Sequence, residues 1–242
     1  MKNLSMLLPI GLTWIFLHLA AIPQQKPSEL ELVLKKMDAV AETFRSAQAD
    51  FEWDRYEKVI DEVDDYQTGT IYYRRSAKNI EMMADIKNDG TSLDQMQSQP
   101  KYVLFNGSKI QVYQPKIDQL TVYDLGKNSA DFESYLVLGF GGSGQDLVKS
   151  FDVTYAGREN VQGVDAAKLQ VVPKSDRVRN NIKQIFLWID PDKGVSVQQQ
   201  FFEPQGNYRL AKYSQIKLNQ KIKDDVFRLK TTGKTQVVSP RG

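Results

Sequence analysis

Hydrophobic and polar residues alternate along most of the chain with a period of two, and one stretch near the N-terminus has the longer period of a helix. There, apolar residues follow one another in steps of three and four between Leu30 and Phe44, which is one stripe of an amphipathic helix. Ser28 stands three residues before Glu31, and this spacing is a capping box at a helix start. The sequence predicts a helix that must lay its stripe on another apolar surface.

The period changes to two directly after this helix. One set of alternate positions is apolar and the other polar: Ala47, Ala49, Phe51 and Trp53 against Gln48, Asp50, Glu52 and Asp54. Such alternation predicts a half-buried strand with one solvated face. In the next strand, over 68–75, the set that holds Ile71 and Tyr73 also holds Gly69 and Arg75. Arg75 is therefore expected on the apolar face.

Short strands separated by turn signals fill most of the remaining chain. Asn106-Gly107 between apolar runs is the strongest hairpin signal, and turns are predicted at 190–194 and 204–207. The acidic stretch 61–65 is predicted to be a solvated loop and 88–99 a polar insert. Further strands are predicted over 79–87, 102–105, 109–113, 153–155, 167–172, 182–189, 195–202 and 208–218. About ten short strands predict an antiparallel barrel or a strongly curved sheet.

Residues 128–150 interrupt the strands. Two short helices, over 131–138 and 145–151, are predicted around a glycine cluster at 139–144. The cluster matches G-x-G-x-x-G, but a dinucleotide site needs this motif inside a βαβ unit, and antiparallel strands surround it here. A flexible loop joining two lid helices is the favoured interpretation, because glycine tolerates unusual backbone angles. No repeat or linker divides the chain, so a single domain is predicted over 22–242.

The N-terminus has the pattern of a targeting segment. Lys2 precedes an apolar stretch over 6–22 that ends in small residues, which predicts a secretory signal peptide over 1–21, cleaved near Ala21. An uncleaved membrane anchor is the alternative, since a stretch of this length could just span a bilayer. Pro9 and Gly11 favour the signal peptide. The mature protein is expected to be soluble and outside the cytoplasm.

Composition disfavours most catalytic chemistry. The chain has no cysteine, and its one histidine, His18, lies in the predicted signal peptide. The mature protein would therefore lack the commonest general base and the thiol nucleophile. Lys and Arg number 32 against 30 Asp and Glu, which argues against nucleic-acid binding through bulk charge. No pair of acidic residues stands out on an apolar face. We predict no enzyme, no catalytic residue, no cofactor and no metal.

Arg75 is the candidate functional residue that the pattern singles out. A guanidinium stays charged, and on an apolar face it costs several kcal/mol unless its donors are satisfied. It could reach water from the strand end or bond backbone carbonyls in a purely structural role. The functional alternative is a latch at the mouth of an apolar cavity, which holds a lid through hydrogen bonds to loop carbonyls.

Several segments together resemble the periplasmic lipoprotein carrier family LolA and its lipoprotein-sorting relatives. The resemblance runs from the helix onward and is carried by 44–51, 69–75, the hairpin over 104–115, the stretch Leu187-Trp188-Ile189-Asp190-Pro191-Asp192-Lys193-Gly194 and the end over 219–227. Arg75 matches the family arginine that ties the lid shut. The chain departs from the family at Ser76, where a proline is common, and in the long segments 54–67 and 88–99.

The resemblance implies a mainly β fold with an α lid, in which short helices cover an unclosed antiparallel β-barrel. It also implies a periplasmic carrier, in a Gram-negative-type envelope, for acylated lipoproteins or related lipids. Partners would be an inner-membrane releasing complex and an outer-membrane receptor, with no nucleic acid, and the protein is expected to be a monomer. A lipid-sensing regulatory protein on the same fold and an extracytoplasmic hydrolase are the alternatives.

The candidate site follows from the apolar faces of the strands. Acyl chains are expected in a cavity lined by Phe51, Trp53, Ile71, Tyr73, Met82, Val103 and Phe105, with Arg75 at the lid. Burying each methylene of an acyl chain contributes about 0.8 kcal/mol to binding. Apolar contact alone can therefore hold the chain, and no covalent chemistry is needed.

Overall fold

The computed structural model describes residues 27–75, 80–126, 135 and 138–240. Twelve strands of these residues form one sheet. The strands are β1 (Ser46–Glu57), β2 (Glu62–Arg75), β3 (Ile80–Gly90), β4 (Gln97–Asn106), β5 (Lys109–Gln114), β6 (Gln119–Asp124), β7 (Phe151–Val161), β8 (Val164–Pro173), β9 (Gln184–Asp190), β10 (Val195–Phe202), β11 (Tyr208–Leu218) and β12 (Gln236–Val238). The helices are α1 (Glu29–Thr43), α2 (Gly144–Ser150) and α3 (Asp176–Arg179), with 3-10 turns at Leu93–Gln95, Pro115–Ile117 and Asp224–Phe227.

Two antiparallel meanders make up the sheet. The strand order is β12-β6-β5-β4-β3-β2-β1-β11-β10-β9-β8-β7, so β1–β6 form one meander, β7–β11 form the other, and the pairing of β1 with β11 joins them. Among the described strands, β7 and β12 lie at opposite ends of this order, and the sheet is unclosed. The predicted class, mainly β with short helices on an incomplete barrel, is confirmed. One pairing departs from the antiparallel prediction: β12 runs parallel to β6.

The N-terminal helix begins at the predicted capping box. The Ser28 hydroxyl accepts the backbone N–H of Glu31 at 3.3 Å, and the Glu31 carboxylate accepts the backbone N–H of Ser28 at 2.9 Å. These bonds satisfy two donors that a helix start leaves without partners. The stripe buries Val33 and Met37 against the inner faces of β8 and β9.

A long connection returns the chain from one end of the sheet to the other. Strand β6 lies near one end and β7 forms the opposite edge, so the residues between them must cross the sheet. The described part of this crossing consists of 125–126, Tyr135 and the segment 138–150. We call 138–144 the lid loop, which packs on the inner wall and leads into α2.

Apolar side chains cover both faces of the curved sheet. The concave face holds two clusters, one on β1–β4 and β11 and the other on β8 and β9 beneath α1 and α2. On the convex face, Phe227 of the C-terminal segment packs on Met83 and Leu104. A further convex cluster surrounds Trp188. Both faces are therefore partly buried, and the concave face carries the larger clusters.

The structure corrects two predicted segments and the predicted number of strands. Strand β2 already begins at Glu62, so most of the acidic stretch 61–65 is strand, where Asp64 pairs with Arg55 across the hairpin at 2.7 Å. The polar insert 88–99 is largely the ends of β3 and β4 around a 3-10 turn. Twelve strands replace about ten. Polar strand ends lack the apolar alternation on which sequence prediction depends.

Some predictions fall on residues outside the described part of the chain. These are the signal peptide over 1–21, Ser76, and most of the helix predicted over 131–138. Within the described residues, each helix is too short or too polar to cross a lipid bilayer.

Candidate functional site

An apolar cavity of about 340 Å³ opens on the concave face. Its walls come from β1, β2, β3, β10 and β11, together with Tyr135 of the crossing segment. The lining residues are Trp53, Asp54, Arg55, Asp65, Gln67, Ile71, Tyr73, Met82, Tyr135, Gln199, Phe201, Arg209, Leu210, Ala211 and Tyr213. This volume lies within the range of about 300–1,000 Å³ typical of small-molecule sites.

Four of the seven predicted cavity residues line this space: Trp53, Ile71, Tyr73 and Met82. Cross-strand pairing brings them together, because Tyr73 lies opposite Met82 in the β2–β3 ladder. The other three, Phe51, Val103 and Phe105, belong to the same apolar cluster but are not among the residues that line the cavity. The ring of Phe51 stacks on that of Trp53 at 4.1 Å.

The sequence analysis missed the wall formed by the C-terminal meander. Gln199, Phe201, Ala211 and Tyr213 line the cavity on β10 and β11. Alternation along β11 could have placed Ala211 and Tyr213 on one face. Which face turns inward depends on the pairing of β11 with β1, where Phe51 lies opposite Tyr213. That pairing joins residues far apart in the chain and leaves no local signal.

The charged lining residues lie together at one end of the cavity, where the end of β1 meets the starts of β2 and β11: Asp54, Arg55, Asp65 and Arg209. Arg55 forms two bonds to the Asp64 carboxylate, at 2.9 and 2.7 Å, and this guanidinium lowers the pKa of Asp64. Arg209 lies directly opposite Arg55 in the β1–β11 ladder. The rim is thus polar and the interior apolar, which is the arrangement of an amphiphile-binding site.

Arg75 connects the sheet to both covering elements. Its guanidinium donates to the backbone carbonyl of Ala41 in α1 at 2.9 Å and to that of Gly141 in the lid loop. The guanidinium carbon also lies 5.4 Å from the centre of the Phe44 ring. The charge on this apolar face therefore has carbonyl and aromatic partners. The geometry is that expected of a latch, while the latch role itself stays a prediction.

The lid loop carries an aromatic side chain into the wall beside the cavity. The Phe140 ring stacks on Tyr73 at 5.0 Å and meets Tyr213 edge to face at 4.8 Å. Phe140 is buried. Burial raises the pKa of Tyr73 well above its ordinary value, and the neighbouring Tyr213 adds to this effect. Burial also raises the pKa of Tyr213, against a smaller opposing effect of Trp53. Both phenols are therefore neutral at physiological pH.

Close packing explains the glycines of the lid loop. Gly139 and Gly141 have φ values of +83° and +82°, a region that favours glycine. A Cβ on Gly141 would lie 2.4 Å from the Phe44 ring, and one on Gly139 would lie 2.2 Å from the Ser196 side chain. The glycines of this G-x-G-x-x-G motif allow close approach to β10, to Phe44 and to α1, and the described strands around the motif are antiparallel, unlike the βαβ unit of a nucleotide site.

The described residues contain no group of three or more His, Cys, Asp or Glu side chains placed to hold a metal ion.

The curved sheet, the helices packed on one half of it and the cavity on the other half define a half-barrel binding protein. A family model described as "Outer membrane lipoprotein carrier protein LolA" matches residues 92–230. The chain belongs to this family, as its resemblance to lipoprotein carriers predicts. The site of such a protein is one for lipoproteins or lipids.

Solved structures with similar folds share little sequence with this chain. An uncharacterized conserved protein from Thermus thermophilus is 11% identical with a TM-score of 0.52, covering 86% of this chain and 97% of that one, and it supports the fold. The Mycobacterium tuberculosis lipoprotein LppX is 14% identical with a TM-score of 0.48, covering 81% and 99%. The Pseudomonas aeruginosa MucA/MucB complex matches at 15% identity with a TM-score of 0.46, covering 84% of this chain and 61% of that one. No curated protein sequence matches.

Proposed function

We propose that this protein is a periplasmic carrier that binds acyl chains of lipoproteins or related lipids and moves them toward the outer membrane. The cavity formed by the sheet and Tyr135 supports this proposal, because its interior is apolar and Arg75 bonds α1 and the lid loop to the same sheet. Each methylene transferred from water contributes about 0.8 kcal/mol. An acylated molecule crossing an aqueous space needs this shielding.

Reversible delivery follows from the two states that the latch would define. The bonds of Arg75 to Ala41 and Gly141 stabilise the closed cover. Cargo that enters must move the cover and lose these bonds, and their re-formation favours release. A ligand shifts such an equilibrium only by the difference in its free energy of binding to the two states. Arg75 therefore affects how readily the cargo is released, and it does not line the cavity.

The remaining parts of the proposal follow from the family. The cargo would come from an inner-membrane releasing complex and pass to an outer-membrane receptor. The signal peptide over 1–21 would be removed. The single domain over 22–242 would then act as a monomer. No covalent step is proposed.

The test compares Arg75→Leu with Arg74→Leu. Arg74 is the adjacent residue and points the other way, to Glu81 at 2.7 Å and to the Phe227 ring at 4.4 Å, so its variant controls for the lost charge. Arg75→Leu should retain copurified acylated cargo about tenfold more tightly, because a hydrogen bond from a charged donor contributes about 1.5–3 kcal/mol. Mass spectrometry of material bound to the periplasmic protein, before and after dilution, measures this retention.

Unchanged release in Arg75→Leu, or equal changes in both variants, would show that the latch role is wrong. Absence of any lipid or lipoprotein on the wild-type protein would contradict the carrier. A stable protein partner whose binding depends on lipid would instead support a sensor.

A further inference from the structure

The cavity wall contains a buried polar pair, Gln199 and Tyr213. Both residues are 5% exposed. They lie on β10 and β11 and face the same space as Ile71 and Met82. A polar group in such surroundings lowers stability unless it is hydrogen-bonded, so the partners of the Gln199 amide can be counted.

Two hydrogen bonds to described residues use the oxygen of the Gln199 amide and one of its two N–H donors. Its oxygen accepts the Tyr213 hydroxyl at 3.2 Å, and its nitrogen donates to the backbone carbonyl of Leu138. These two bonds fix which end of the amide is nitrogen. A primary amide has two N–H donors, and among the described residues only the Leu138 carbonyl accepts from this nitrogen. Within the described part of the chain, one buried N–H at the cavity wall is left without a protein acceptor.

The neighbouring side chains restrict what that acceptor can be. Within the apolar interior a hydrocarbon offers no acceptor, and an ionised carboxylate would pay a large desolvation cost beside neutral groups. A neutral carbonyl oxygen can accept the hydrogen bond from the single N–H. In an acyl group this carbonyl is attached to the hydrocarbon chain that enters the cavity. Few polar groups fix the orientation of a ligand in an otherwise apolar pocket.

We propose that Gln199 donates a hydrogen bond to the acyl carbonyl of the ligand, and that the cavity thereby selects fatty acyl esters or amides over alkyl chains that lack a carbonyl. This inference rests on the proposed function and names the chemical group that the same cavity reads. Gln199 is a specificity-determining residue, and Tyr213 is its positioning residue through the 3.2 Å bond to the amide oxygen.

A matched pair of neutral ligands tests the inference on the purified protein. Glycerol 1-dodecanoate and 1-O-dodecylglycerol have the same chain and head group and differ in the ester carbonyl. Calorimetric titration should give about fivefold tighter binding of the ester, since a neutral hydrogen bond contributes about 1 kcal/mol. The infrared carbonyl stretch of the bound ester should fall to lower frequency.

Variants assign the preference to one side chain. Gln199→Leu should bind both ligands equally, whereas Gln200→Leu, at the next position of the strand and not among the cavity-lining residues, should keep the preference. The wild-type ratio and the infrared shift test the inference even if Gln199→Leu fails to fold. Equal wild-type affinities would overturn it while leaving the carrier intact, and so would a preference that survives in Gln199→Leu. Failure of both ligands to bind would overturn the carrier as well.

Discussion

The two halves of the concave face are built from the same kind of strand and are filled differently. On β8 and β9, the inward residues Leu169, Leu187 and Ile189 have no exposed surface beneath α1 and α2. On β1, β2, β3, β10 and β11, the inward residues border a cavity of about 340 Å³. Alternation produces an apolar face in both halves, so the sheet alone does not decide where a hollow forms.

The position of the covering helices makes the difference. α1 is held over the packed half, where a Cβ on Gly144 would meet the Leu34 carbonyl at 2.6 Å and one on Gly194 would meet Val40 at 2.8 Å. Such close approach fills the space with side chains at the density of a protein interior. Over the other half, the lid loop places Phe140 beside Tyr73, and among the described residues no side chain of α1 or α2 lines the cavity there. The packed half supplies stability, which allows the other half to stay hollow.

Truncating one apolar side chain in each half should give the largest difference. Leu187→Ala should lower the free energy of unfolding by about 4 kcal/mol, because its rigid surroundings cannot collapse around the lost atoms. Met82→Ala, at the existing cavity, should cost about 2 kcal/mol, since fewer packing contacts are lost. Urea denaturation with a common m-value measures both.

The variant that is less destabilised, Met82→Ala, should have the larger effect on ligand binding. Met82→Ala should alter affinity for glycerol 1-dodecanoate, and Leu187→Ala should leave it unchanged. Equal costs of unfolding would mean that the two halves are packed alike, and the distinction drawn between them would fail.

Substitutions of two glycines with positive φ test how closely the lid loop approaches Phe44. The expected losses of stability are smaller than those of the core truncations. Gly141→Ala adds a Cβ 2.4 Å from the Phe44 ring at φ +82°, whereas Gly157→Ala, at φ +101°, meets nothing within 4 Å. Both variants carry backbone strain of about 1–2 kcal/mol, and only Gly141→Ala adds a clash. We expect it to lose about 1 kcal/mol more.

Hydrogen exchange locates that difference. Amides of 138–144 should exchange faster in Gly141→Ala and at the wild-type rate in Gly157→Ala. Matching losses of stability with no change in exchange at the lid loop would show that the loop does not rest on Phe44.

Sequence periodicity predicted the elements of both halves but only part of the site. The alternation of β1 and β2 predicted that Trp53, Ile71, Tyr73 and Arg75 lie on inward faces, and the structure has them there, while their roles stay predictions. Gln199 was not found, because β10 carries three successive glutamines and an irregularity between Ser196 and Gln198 that changes which residues face inward. The extent of the cavity also depends on the contact of Tyr135 with the sheet. Sequence periodicity does not predict such a long-range contact.

The smallest expected effect concerns two carboxylates whose pKa values move in opposite directions. At the cavity rim, burial raises the pKa of Asp54 from its ordinary value of 3.8, with Lys212 opposing and Glu52 adding to the shift. At the end of β9, burial would also raise the pKa of Asp190. Backbone N–H groups of Asp192 and Lys193, at 2.8 and 3.1 Å, and the Lys193 ammonium outweigh burial and lower it.

The signs of the two pH dependences are therefore opposite. A raised carboxyl pKa means that the folded state binds the proton more readily, so the Asp54 contribution increases stability as pH falls toward 3.8. The lowered pKa of Asp190 stabilises the fold above 3.8, and this contribution is lost as pH falls below that value. Melting temperatures of wild type, Asp54→Asn and Asp190→Asn between pH 3 and 7 separate them. At neutral pH the melting temperature of Asp190→Asn should be lower than that of wild type, and this difference should shrink below pH 4. As pH falls toward 4, the melting temperature of wild type should rise relative to that of Asp54→Asn. A difference between Asp190→Asn and wild type that stays constant through this range would mean that ionisation of the Asp190 carboxylate does not stabilise the packed half.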